Sequence, residues 1–89
     1  MVDMFEEGER DGREQGAQLD AYKLFTRGDE YACGFVWGYT DRMVGFVAAD
    51  VFWSLLGENA REARAPLDML LEHVEDEYVD DVKRGYHDS

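Results

Sequence analysis

Five carboxylates, Asp68, Glu72, Glu75, Asp76 and Asp80, are the side chains in this sequence whose type and spacing most suggest chemistry, with Glu77 and Asp81 beside them. Steps of three and four residues place groups on one face of a helix, so the spacing predicts a ridge of negative charge along a single helix. At a rise of 1.5 Å per residue the ridge would run about 18 Å from Asp68 to Asp80, with carboxylates one turn apart repeating at about 5.4 Å. A DNA strand advances about 3.4 Å per phosphate, so the ridge is a sparser line of comparable charge. Like charges four residues apart destabilise a helix by about 0.2–0.5 kcal/mol per pair, and few lysines or arginines stand nearby to relieve them. The chemistry such a ridge offers is the presentation of anions to a cationic surface.

Other reactive arrangements are weaker. Cys33 is the only cysteine, which excludes an internal disulfide or a cysteine-based zinc site. It sits among Tyr31, Ala32, Phe35 and Val36 with no base near it in sequence, the setting of a small buried hydrophobe. His73 with Glu77, and Glu72 with Asp76, form two-ligand clips, but the closely spaced oxygens and turn glycine of a hard-cation loop are missing. No glycine-rich phosphate loop or nucleophile elbow occurs, and Ser54 and Ser89 are the only serines. The expectation is therefore a protein without catalytic residues, cofactor or metal.

The elements that must carry these groups come from 89 residues with 21 acidic and 9 basic side chains, a net charge of −12. An apolar content of 45% with 13% aromatics is enough for one small folded domain spanning residues 1–89. Such an acidic surface repels phosphate backbones and anionic headgroups, so direct nucleic-acid or membrane binding is disfavoured and basic partners are expected. The start of the chain, Met1-Val2-Asp3-Met4-Phe5-Glu6-Glu7, lacks the features of a secretory signal, which with the single cysteine suits the cytoplasm.

Three segments are predicted, divided near Gly28 and at Gly57-Glu58-Asn59. In the first, about Asp3 to Arg27, Gly8, Gly12 and Gly16 fall four residues apart on one helical face. Interior glycines each cost about 1 kcal/mol relative to alanine, so a helix here requires another backbone close by. The alternative is a frayed start over residues 1–16, and in either case Leu19, Tyr22 and Phe25 are expected in the core. The second segment, Glu30 to Gly57, holds Tyr31, Phe35, Trp37, Tyr39, Phe46, Phe52 and Trp53, which marks it as a buried central helix with Gly34, Gly38 and Gly45 on one face. The two glycine faces are expected to pack on each other or on a second copy. A hairpin over residues 31–49, with Tyr31 to Tyr39 alternating and Val44 to Val47 pairing back, is the competing reading. A membrane span is disfavoured by Asp41, Arg42 and Asp50.

In the third segment Asn59 and Glu62 resemble a capping box, and Pro66 suits a first helical turn. Leu67, Leu70, Leu71, Val74, Tyr78 and Val82 form an apolar stripe to about Arg84, with Gly85 as the stop and residues 86–89 as a loose tail.

The expected fold is all-α, a small bundle of about three helices around an aromatic- and glycine-rich central helix, with an α+β arrangement as the alternative. The leading functional expectation is a stoichiometric inhibitor that offers carboxylates where a basic nucleic-acid-binding complex expects phosphates, with Trp37, Trp53 or Tyr78 as aromatic anchors. The comparison with small phage-encoded anti-CRISPR and anti-restriction proteins rests on size and charge alone. The alternative is an assembly module that homo-oligomerises through its glycine faces, its acidity serving solubility or life in high salt.

Overall fold

The first two helices of this chain are capped by aspartates, left-handed residues turn the chain between helices, and the long helices touch at glycines. A computed structural model describes residues 3–45 and 49–88. The first helix, α1 (Met4–Gly12), is capped by Asp3, whose carboxylate accepts from the Phe5 amide at 3.0 Å. Asp20 caps α2 (Ala21–Arg27) in the same way, accepting from the amides of Tyr22 and Lys23. Gly28, at φ 103°, turns the chain into α3 (Asp29–Val44), which ends at Gly45 with φ 54°. Helix α4 (Ala49–Glu62) closes with paired bonds, Ala65 N–H to the Ala60 carbonyl and Arg64 N–H to that of Arg61, around Arg64 at φ 58°. Pro66 then leads into α5 (Leu67–Leu71), a 3-10 turn (Asp76–Tyr78) and α6 (Val79–Asp88). Among the described residues there are six α-helices and no strand.

Two helix pairs are joined backbone to backbone. A Cβ on Gly8 would lie 2.8 Å from the Phe35 amide nitrogen, and one on Gly12 2.8 Å from that of Tyr39; each would fall closer still to a carbonyl oxygen of α3. In return, the sites where Gly34 and Gly38 would carry a Cβ are taken by the carbonyls of Phe5 and Glu9. The register advances in the same direction on both helices, so α1 and α3 run parallel. Gly57 of α4 meets the Val82 carbonyl and the Tyr86 amide of α6, while Gly85 meets the Ser54 carbonyl. No side chain larger than hydrogen fits at these crossings.

The second pair repeats the first. Gly12 facing Phe35 and Tyr39 corresponds to Gly57 facing Val82 and Tyr86, and Gly38 facing Glu9 corresponds to Gly85 facing Ser54. The sequence follows at an offset of 47: Asp29-Glu30-Tyr31, Gly38-Tyr39 and Asp41 recur as Asp76-Glu77-Tyr78, Gly85-Tyr86 and Asp88. The order of long helix, short helix, long helix is thus used twice, as α1–α2–α3 and α4–α5–α6.

The halves meet along α3 and α4. Tyr31, Ala32, Cys33, Phe35 and Val36 of α3 form the core with Leu56, Ala60, Ala63, Ala65, Leu70, Val74 and Val82. One polar pair is buried there: Asn59 donates to the Thr40 hydroxyl at 2.9 Å, and Thr40 donates to the Val36 carbonyl at 2.7 Å. Both groups are satisfied, so the pair fixes how the halves register without leaving an orphaned donor.

The all-α expectation and the buried central helix hold, and the predicted packing of one glycine face on the other is found within the chain, as α1 against α3. Several details differ. Each predicted long helix is two shorter ones: Gly16 (φ 87°) and Gly45 (φ 54°) supply turns within the first two, the third breaks at residues 72–75 without a glycine, and Gly28 turns the chain at the expected boundary. Gly16 and Gly45 are therefore turn residues, with no close backbone neighbour, rather than packing glycines. The hairpin gives way to helix over residues 31–44, and Phe46, Val47 and Ala48 lie outside the described residues. Residues 4–12 are helical rather than frayed, while Met1 and Val2 lie outside the described residues. Asn59 is a buried α4 residue instead of a cap, and Gly57 and Gly85 are packing glycines instead of a boundary and a stop. The tail from Tyr86 is helical to Asp88, and Ser89 lies outside the described residues.

Alanine in place of Gly38 or Gly85 raises intrinsic helix propensity by about 1 kcal/mol, so a helix free of neighbours would be stabilised. Here the expected outcome is the opposite, a net loss of about 2 kcal/mol or more from overpacking at each site. Urea unfolding of the Gly38→Ala and Gly85→Ala variants checks it, and Gly38→Leu should be more severe.

Candidate partner-binding face

The predicted anchors Trp37, Trp53 and Tyr78 come together in one row of rings. Trp53 stacks on Tyr78 with centroids 4.4 Å apart and planes at 10°, and meets Trp37 edge-on at 5.6 Å. Phe52 fills the angle between the tryptophans, 5.7 Å from Trp37 and 4.9 Å from Trp53. Phe5 continues the row beyond Trp37 at 5.9 Å, and the exposed His73 ring stacks on Phe5 at 3.9 Å. The five aromatic rings are half-buried, each packed on the core by one side and reaching water by another. The row depends on both glycine crossings. Bringing α1 onto α3 sets Phe5 beside Trp37, and the α4–α6 pair holds Trp53 close to the 3-10 turn that carries Tyr78.

The acidic ridge is not one helix face. After α5 the amides of Glu72, His73 and Val74 bond three residues back, Glu75 adopts an extended conformation (ψ 145°), and helix resumes only after Glu75. The break separates carboxylates that a continuous helix would stack four apart, and it keeps Val74 and Val82 both in the core. The apolar period survives the interruption, which is why the pattern read as one helix.

Asp68, Glu72, Glu75, Asp76 and Asp80 are all exposed. Glu72 to Glu77 occupy the segment that leads into Tyr78, and the Glu77 carboxylate, followed by burial and Glu75, pushes the Tyr78 hydroxyl above its usual pKa. The anionic segment and the aromatic row are therefore contiguous at Tyr78.

Charge pairing differs between the halves. In the first, Glu7, Glu9, Asp11 and Asp41 are held by Arg10, Arg13 and Arg27, with Arg13 to Asp41 at 2.9 Å. In the second, the one ion pair among the described residues is Arg84 with Asp81, and the five predicted ridge carboxylates have none. Sequence reasoning found the carboxylates and three of the rings but missed Phe5, Phe52 and His73, which reach the row only through tertiary packing.

The face can pair with cations and stack on planar groups, two modes that an arginine guanidinium combines. The buried thiol does not add a nucleophile. Burial, with Asp29 next in effect, pushes Cys33 up to about 12, and its sulfur lies 3.7 Å from the Pro66 carbonyl. Among the described residues, no group of three or more potential ligands is placed to hold a metal ion, and no helix is long and apolar enough to cross a membrane. Compared with known protein families, curated proteins and solved structures, the chain shows no significant match.

Two groups are held protonated by the fold. Besides Cys33, the Tyr31 hydroxyl is raised to about 12 by burial and by its 2.5 Å bond to Asp11. A folded pKa above the unfolded one means stability that is complete below the unfolded value, 9.0 for the thiol and 10.0 for the phenol, and lost as pH climbs towards about 12. Melting temperatures should fall progressively from pH 9 to pH 12, and the Cys33→Ala/Tyr31→Phe variant should show a flatter profile. At pH 8 the native thiol should resist a disulfide reagent that labels it once the chain unfolds.

Proposed function

We propose that this protein binds a cationic surface of a nucleic-acid-binding protein or complex and blocks it by occupying the place of phosphates, acting in the cytoplasm in the manner of small phage-encoded anti-CRISPR and anti-restriction inhibitors. The observation that carries the reading is the unpaired carboxylate set, Glu72, Glu75 and Asp76 with Asp68 and Asp80, set against the half-exposed Trp37–Trp53–Tyr78 row. Carboxylates already paired within a chain would have to give up a partner to meet another; these do not. Their long-range field steers encounter, and the rings supply anchors of the type that dominates interface energies. Gly8, Gly12, Gly34 and Gly38 are taken up in the α1–α3 contact, so they lend the assembly alternative no support.

The test is capture of partners from the native host at low salt and at about 1 M, where screening shortens to about 3 Å. A basic nucleic-acid-binding complex retained at low salt and displaced by duplex DNA is the expected result. Lysine at Glu72, Glu75 and Asp76 together should abolish that binding while leaving the helical spectrum intact, and retained affinity overturns the proposal. Trp53→Ala should weaken binding about tenfold or more, the loss of one anchor worth about 1.4 kcal/mol.

A further inference from the structure

A second surface is left open by the fold. Tyr22 and Phe25, which the apolar pattern assigns to the core, are 78% and 77% exposed on α2. They border a groove of about 470 Å3 whose other walls are Asp29 and Ala32 of α3 and Glu62, Ala63 and Arg64 at the end of α4. Ala32 and Ala63 are buried and small, so the groove keeps its depth.

We infer that this groove is the contact between two copies of the chain, paired about a two-fold axis with Tyr22 and Phe25 of each copy seated in the other's groove. Three observations select a second copy over another occupant. The first is the internal duplication. In the second half the short helix α5, which stands where α2 stands in the first, has its apolar side chains Leu67, Met69, Leu70 and Leu71 packed on the core and touches α3, α4 and α6. Helix α2 buries only Leu24 and lays Arg27 over the Tyr31 ring of α3, so its Tyr22 and Phe25 lack the cover that α5 receives from other helices of this chain.

The second is charge. The rim carries both signs, Asp29 and Glu62 with Arg64, as a patch that must match itself requires, since a two-fold axis sets Arg64 of one copy against the carboxylates of the other. On a molecule of net charge −12 such a near-balanced patch is where two copies meet with least repulsion. A strongly cationic partner would instead encounter Arg64.

The third is Arg64 itself. It occupies the left-handed position that closes α4, φ 58°, where glycine is the usual residue and an arginine is strained. Its side chain makes no ion pair or hydrogen bond with any described residue. A strained position that keeps a long unpaired cation at the edge of an aromatic groove fits a role in contact rather than in folding.

The inference is independent of the cationic-partner reading, which uses the opposite set of residues, although pairing would double the carboxylate face offered to a partner. Sedimentation of the full chain from about 1 µM to about 500 µM tests it, a range that brackets the dissociation constants of modest interfaces. The expected result is a concentration-dependent rise towards twice the 10.3 kDa chain mass. Tyr22→Ser/Phe25→Ser should remain monomeric throughout with an unchanged helical spectrum, and Arg64→Glu should weaken pairing at least tenfold. Arg64→Gly separates contact from folding, because it should raise the melting temperature of the monomer while also weakening pairing at least tenfold. A wild-type chain that is monomeric across the range, or a dimer that survives Tyr22→Ser/Phe25→Ser, overturns the inference. So does a monomer whose capture of a cationic complex is lost in that double variant, which would assign the groove to the partner.

Discussion

Everything in this fold depends on two helix pairs whose backbones touch. Six helical glycines, Gly8, Gly12, Gly34, Gly38, Gly57 and Gly85, sit where a carbonyl oxygen of the facing helix already stands. Each weakens its own helix by about 0.8–1 kcal/mol, so together they cost about 5–6 kcal/mol, comparable with the whole net stability of a small domain. Helices this short do not persist alone in water. Each pair therefore exists only as a pair, held by dispersion at close range and by Cα–H groups directed at carbonyl oxygens. In a chain that can build only a small core, close approach also saves volume: little side-chain bulk is needed between α1 and α3, which releases Phe5, Trp37, Phe52 and Trp53 to form the row at the surface.

The duplication explains why the same device appears twice with different consequences. Both halves keep the glycine crossing and the Asp-Glu-Tyr entry to the last helix, but Tyr31 is buried under Arg27, whose guanidinium lies 4.3 Å over its ring, whereas Tyr78 remains half-exposed and stacks on Trp53. In the first half Arg10, Arg13 and Arg27 neutralise the carboxylates around the crossing. In the second half Arg61 donates to the carbonyls of Tyr86 and His87 at the end of α6, so it serves a helix terminus instead of a carboxylate. The halves have kept one packing solution while their surfaces have diverged.

What was legible in the sequence follows the same division. The Gly8–Gly12 and Gly34–Gly38 steps announce a close contact because two glycines four apart on one face have few other uses in a costly position. Gly57 and Gly85 are single, and a lone glycine reads as punctuation; alignment of the chain on itself at an offset of 47 sets Gly85 on Gly38, while Gly57 matches Gly12 only at an offset of 45. Tyr22 and Phe25 fall on the apolar pattern but belong to a seven-residue helix that can bury one side chain, Leu24, against α3. The interruption at 72–75 was hidden because the 3-10 turn restores the apolar phase, and no periodicity separates a continuous helix from one that breaks and resumes in register. The rings of the row were visible as residues, yet their assembly from α1, α3, α4 and the 3-10 turn is a product of the crossings.

The placement of charge is the last consequence. Surface ion pairs such as Arg13 with Asp41 each contribute little to stability, about 0–1 kcal/mol. The first half therefore gains modestly from its arginines, and folding alone would not demand that the second half go without. Leaving Asp68, Glu72, Glu75, Asp76 and Asp80 unpaired keeps their mutual repulsion in the folded state, a cost that the break at 72–75 lessens by taking them off a common helix face. A surface shaped by stability alone would alternate the signs along this segment, as the first half does around its crossing. The same segment ends at the stacked Trp53 and Tyr78 rings, whose exposed edges forgo burial that a small core could use. Unrelieved anions of Glu75 and Glu77 and incompletely buried rings thus meet at Tyr78, where an arginine- or lysine-bearing surface would relieve both at once.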